Sequence, residues 1–129
     1  MFKKKTAIAL GLAMLAGSST AWAGKKSSLY PVVINTTANV IAGSFGNVRN
    51  SSDSVQSLDV GFQVGNGFYY AYIYAYDSTG TMASCTTSNR DMIEVIKSAS
   101  PDSFIMAYHD GAGTCTNIEM RNASYLEPK

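Results

Sequence analysis

Few residues in this chain have the type and spacing that chemistry needs. His109 is the only histidine, and Asp110 follows it directly. A Ser-His-Asp hydrolase needs its imidazole beside an activated serine, with an acid to orient it. Consecutive side chains seldom point the right way for that, so His109 reads either as a plain loop residue or as the centre of a small hydrolase. Asp53, Asp59, Asp77 and Glu119 could supply carboxylates for glycoside hydrolysis, but nothing in their spacing pairs two across a cleft. Cys85 and Cys115 are the only cysteines. In an oxidising compartment such a pair reads as a disulfide. Metal binding is the alternative, but two isolated cysteines and one histidine match no zinc spacing. A C-x-x-C redox motif is absent, and no glycine cluster has the strand-to-helix context of a phosphate loop. The residues therefore predict no catalytic site, no metal and no cofactor.

Two other groups could bind something. Residues 58–76, LDVGFQVGNGFYYAYIYAY, hold five of the eight tyrosines. Tyr70, Tyr72, Tyr74 and Tyr76 alternate, so they share one face of a strand. Such a ladder either packs under another layer or stands open as an aromatic platform for a glycan, a peptide or a partner surface. The second group is the polar run around Arg49 and Asp53. Arg49 offers a fork of donors, and Asn50 and Asp53 can satisfy nearby backbone amides. It reads as an ordered turn or as a contact for an anion or a carbohydrate.

The elements that position these residues are mostly strands. Asn66-Gly67 between two β-prone runs predicts a hairpin with a type I′ turn, in which both central residues have positive φ. With those two residues as the loop, Gly65 faces Phe68, Val64 faces Tyr69, Val60 faces Ile73 and Leu58 faces Ala75. One face then carries Leu58, Val60, Phe62, Val64, Tyr69, Ala71, Ile73 and Ala75, the expected core side. The other sets Ser57, Asp59, Gly61 and Gln63 against the four alternating tyrosines. A slip of one residue would mix the two sets.

Further strands are expected over residues 29–33, 39–45, 81–86, 103–108 and 114–120. Turns are expected at residues 35–37, 46–54, 77–80 and 109–113. One short helix is expected at about 89–98. Ser88 would be its N-cap and Asp91 the N3 residue of a capping box, Met92, Ile93, Val95 and Ile96 would form its apolar face, and Pro101 follows its end. The fold class is therefore α+β and β-dominated: an antiparallel sheet or small sandwich of five to seven strands with one helix packed on it. The disulfide would tie the strand before the helix to the last strand. It closes a loop of about 30 residues, which implies roughly 3–4 kcal/mol.

The N-terminus reads as an export signal over residues 1–23. Lys3, Lys4 and Lys5 precede an apolar run at residues 6–17, and Ala21-Trp22-Ala23 fits small-x-small cleavage. The run is too short for a stable membrane span. Residues 24–129 would then be one β-rich domain without a membrane span, located in the periplasm or outside the cell. Loss of the three lysines leaves seven Lys and Arg against nine Asp and Glu, a net charge of −2 where the full chain has +1. No basic stripe remains, which argues against nucleic acid and against an anionic membrane surface.

Residues 43–56 (GSFGNVRNSSDSVQ), 83–87 (ASCTT), 113–120 (GTCTNIEM) and 124–129 (SYLEPK) resemble a group of small exported Gram-negative proteins without assigned function. The resemblance spans most of the chain after the signal, and its first motif is the most specific. It implies that the R-N-S-x-D-S turn and the disulfide are structural. Members of that group carry a second cysteine pair at the positions of Val60 and Ile73, which the hairpin register sets opposite each other. The resemblance supplies no activity. The expected function is a non-catalytic exported protein that binds a protein or glycan at the cell envelope. The alternatives are an inhibitor of a secreted or periplasmic hydrolase and the small hydrolase built on His109.

Overall fold

The computed structural model describes residues 30–126. The export signal expected over residues 1–23 and the last three residues of the SYLEPK motif lie outside that range. In chain order the elements are β1 (Val33–Asn35), β2 (Val40–Ser44), α1 (Phe45–Arg49), β3 (Ser57–Gly65), β4 (Phe68–Tyr76), β5 (Met82–Thr87), α2 (Arg90–Lys97), β6 (Phe104–His109) and β7 (Cys115–Arg121). They form two antiparallel sheets, one ordered β1-β2-β6-β7 and the other β3-β4-β5. The β-dominated α+β class is as expected, with a second short helix added.

That second helix, α1, occupies residues read from the sequence as the end of a strand and a polar turn. Five residues are too few to show a helical period. Local chemistry starts it: the Ser44 hydroxyl accepts from the Asn47 amide at 3.4 Å. Tertiary contacts hold it, because the Phe45 amide donates to the Ser103 carbonyl at 3.0 Å and Val48 is buried in the core.

Helix α2 stands where it was expected, but its N-cap is Asn89 and not Ser88. The Asn89 side chain accepts from the Met92 amide at 3.1 Å. Ser88 is left outside because the Thr87 hydroxyl accepts the Asn89 amide at 3.0 Å, which turns the chain one residue later. Ile93 and Ile96 are buried, and α2 packs against β7, β3 and β4.

The β3–β4 register runs Ser57↔Tyr76 to Gly65↔Phe68, as the alternation requires. The turn differs from expectation. Gly67 has φ 83° while Asn66 stays at negative φ, the sign pattern of a type II turn and not of type I′. A side chain in the left-handed region costs energy that glycine escapes, so the strain is placed on Gly67 alone.

The core face of the hairpin is also shorter than expected. Ala71, Ile73 and Ala75 are fully buried, but Phe62 and Val64 are 46% and 62% exposed. The hairpin outruns the helix that covers it. Over its distal half cations stand against the face: Lys97 Nζ lies 5.5 Å from the centroid of the Phe62 ring, and the Arg90 guanidinium lies 5.0 Å from that of Tyr69.

One apolar core joins both sheets and α2: Ile41, Ile73, Ile93, Ile105 and Ala107 are all fully buried in it. Cys85 on β5 and Cys115 on β7 form the expected disulfide at one junction of the sheets, with Cα atoms 5.1 Å apart. The Thr86 amide donates to the Gly113 carbonyl beside it at 2.8 Å. A second, smaller cluster lies on the other face of the longer sheet. There Leu126 and Phe104 pack with Tyr30 and Tyr125, so the S-Y-L of the C-terminal motif closes over the start of the described chain.

Candidate functional site

The outer face of β3-β4-β5 is where the alternating tyrosines stand. Rows across the three strands are Ser57, Tyr76 and Met82, then Asp59, Tyr74 and Ser84, then Gly61, Tyr72 and Thr86. Gln63 with Tyr70 and Gly65 with Phe68 complete the hairpin end. Among the described residues no further layer packs on this face. Phe68 is 48% exposed and Tyr74 is 37%, with Tyr70, Tyr72 and Tyr76 half-buried.

Hydrogen bonds fix the rings of the ladder. Tyr70 donates its hydroxyl to the Gln63 side chain, and the Tyr74 and Tyr76 hydroxyls meet at 3.1 Å. The Asp59 carboxylate raises the Tyr72 hydroxyl pKa above the usual phenol value, chiefly by its charge and also as a bond partner. The hydrogen bond shared with Tyr76, followed by desolvation, raises that of Tyr74.

Two glycines on β3 shape the platform. A Cβ on Gly61 would come within 2.7 Å of the Tyr72 hydroxyl oxygen, and one on Gly65 within 2.4 Å of the Phe68 ring. Both rings therefore lie across the glycine of the neighbouring strand, the packing that compensates for glycine in an edge strand. The pattern legible in the sequence was each glycine opposite an aromatic residue in the predicted register.

Arg49 is not part of this surface. It is exposed at the end of α1 and donates to the Pro101 carbonyl at 3.2 Å, and no hydrogen bond joins it to the tyrosine rows. The rest of its motif is a clamp. Asp53 Oδ1 accepts from the amides of Val55 and Gln56 at 2.9 and 2.7 Å, and its other oxygen accepts from the Gln56 side chain at 2.6 Å. Gln56 Oε1 in turn accepts the Val32 amide at 2.9 Å, which holds the lead into β1. These donors pull the Asp53 pKa down to about 2, the two Gln56 bonds most of all.

His109 lines a cleft of about 420 Å³ between the β1–β2 turn, the start of β5 and the loop after β6. Ser84 lines it too, so a serine and the histidine do share a pocket. The acid does not join them. Asp110 Oδ1 accepts from the Ala112 and Thr114 amides at 2.7 and 3.1 Å, which lowers its pKa. His109 Nδ1 accepts from the Gly111 amide at 3.1 Å. That bond assigns the proton of the neutral ring to Nε2, so Nε2 is a donor and cannot take a proton from serine. The arrangement is the reverse of what a Ser-His base requires.

The loop 110–114 has a twin that the sequence reading did not pair with it. Asp77-Ser-Thr-Gly80-Thr81 and Asp110-Gly-Ala-Gly113-Thr114 both read D-x-x-G-T. In each the aspartate amide donates to the threonine carbonyl at 3.0 Å, and Oδ1 accepts the amides two and four residues on. Gly80 and Gly113 both have positive φ, 86° and 102°.

Among the described residues no group of three or more His, Cys, Asp or Glu could hold a metal ion, and no helix is long and apolar enough to cross a membrane. No family model matches the chain, and no curated protein or solved structure matches it significantly.

Proposed function

We propose that this chain is an exported, non-catalytic binding module that meets a protein or glycan at the cell envelope through the outer face of β3-β4-β5. One observation carries the reading: an aromatic ladder on a sheet face that no further layer covers among the described residues, its rings pre-set by Gln63, Asp59 and each other. Ordered, half-exposed tyrosines offer large contact area at low entropic cost. Export is supported by the basic and apolar character of residues 1–23 and by the Cys85–Cys115 disulfide, a bond typical of oxidising compartments.

The test is a triple substitution, Tyr70→Ser, Tyr72→Ser and Tyr74→Ser, checked for folding by circular dichroism. Wild-type and variant protein are then compared on a glycan array and in an envelope pulldown. Binding that disappears in the folded variant supports the reading, and binding that persists overturns it. Mass spectrometry of the exported form should find an N-terminus at Gly24.

A further inference from the structure

We propose that the free edge of β5, inside the His109 cleft, takes an extended peptide segment of a partner protein as an added strand. Met82 and Ser84 also end two of the tyrosine rows, but the pairing uses their backbone groups at the sheet edge and does not depend on the tyrosines.

The alternation of β5 is set at its first turn. The Asp77 amide bonds to the Thr81 carbonyl, so Ala83, Cys85 and Thr87 direct their backbone groups to β4. Met82, Ser84 and Thr86 direct theirs away. Thr86 verifies this, since its amide donates outward to the Gly113 carbonyl. The next residue, Thr114, bridges Thr86 in parallel, and β7 begins at Cys115. Met82 and Ser84 lie before that bridge, and among the described residues no backbone partner meets their outward N–H and C=O groups. The sheet is thus extended at Thr86 and left unfinished at Ser84 and Met82.

Unpaired amides and carbonyls alternating along a strand edge are satisfied together by another strand. Here the edge borders a cleft whose other wall is made jointly by Thr36 and Asn39 of the β1–β2 turn and by His109 and Gly111. That wall is joined within itself, as the His109 amide donates to the Asn39 carbonyl at 3.0 Å. The volume is within the range of small-ligand sites. It suits one extended segment. Among the lining residues there is no carboxylate, lysine or arginine, so the segment is uncharged where it pairs. Ala83 and Ile34, both packed on the core, form an apolar floor for its inward side chain. His109 Nε2–H offers the segment a donor.

The probe is a phage-displayed library of random seven-residue peptides, selected on oxidised protein comprising residues 24–129. Selected sequences are then synthesised with N-methyl groups at single positions. N-methylation should abolish binding at every second residue and spare the residues between. Ser84→Pro removes an outward N–H while leaving the ladder to β4 intact, and should weaken binding at least tenfold. The Tyr70, Tyr72 and Tyr74 triple variant should bind these peptides as wild type does, which separates this proposal from the proposed function. If Ser84→Pro does not fold, the N-methyl scan on wild-type protein decides. Four outcomes overturn the proposal: no enrichment over an unrelated disulfide-bonded protein, N-methyl sensitivity without a period of two, full binding by folded Ser84→Pro, or a dimer whose formation depends on Ser84.

Discussion

Gln56 holds Asp53 with its own amide and at the same time accepts the Val32 amide on its side-chain oxygen at 2.9 Å. The loop before β3 is thereby fastened to the segment leading into β1. The D-S-x-Q end of the R-N-S-x-D-S-x-Q motif carries this clamp: the Asp53 carboxylate takes the Val55 and Gln56 amides, and the Gln56 side chain takes that of Val32.

A pH dependence follows from the clamp. Asp53 has its pKa lowered from 3.8 to about 2, so folding favours its charged form. Its contribution to stability is complete above the unfolded value and is lost as pH falls through the folded one. Asp53→Asn should melt below wild type at pH 6. The two melting temperatures should converge between pH 4 and pH 2. A gap that stays constant across that range would show that the carboxylate charge is not what stabilises the turn.

The twin loops predict two matched mutants. Gly80 and Gly113 have positive φ, and a Cβ on either would meet no atom within 4 Å. Gly80→Ala and Gly113→Ala should therefore each cost about 1–2 kcal/mol through backbone strain alone. Urea denaturation measures this directly. Asn at either position, which tolerates the left-handed region better, should recover part of the loss.

The tyrosine platform has a titration signature. Asp59 is the largest cause of the raised Tyr72 pKa. Asp59→Asn should shift one phenol titration to lower pH in an ultraviolet or NMR titration, and leave the Tyr74–Tyr76 pair in place. Gly61→Ala tests the same contact from the other side. The added methyl meets the far end of the Tyr72 ring, which can move. Stability should change by less than about 0.5 kcal/mol while the Tyr72 resonances shift.

Two disulfide experiments close the set. Replacing Cys85 and Cys115 together by alanine should cost roughly 3–4 kcal/mol. Val60 and Ile73 are direct cross-strand partners in β3 and β4. The register makes them a non-hydrogen-bonded pair, whose Cα separation of about 4.5 Å suits a disulfide. Cysteines introduced at both positions should link to each other on oxidation. Peptide mapping must also find Cys85 still joined to Cys115. Exchange with Cys85, which pairs with Ile73 from the other side, would count against that geometry.

The sequence by itself determined the parts that rest on local periodicity and on counting. Strict alternation of tyrosine with Ala71, Ile73 and Ala75 specified the β3–β4 register, because a slip would put apolar residues in water. Two cysteines allow one pairing. Cap and charge signals placed α2 to within a residue, since such interactions span a single turn. Tertiary structure alone decided how far the core reaches. Phe62 and Val64 have the same pattern as Val60, and their exposure depends on where α2 ends against the hairpin. It alone made α1, whose five residues need Ser103 and the core to be stable. It alone built the His109 cleft, bringing Asn39, Ser84 and His109 together from three distant segments. No residue-by-residue signal encodes such a meeting, because it follows from how two sheets pack and not from the preferences of any one strand.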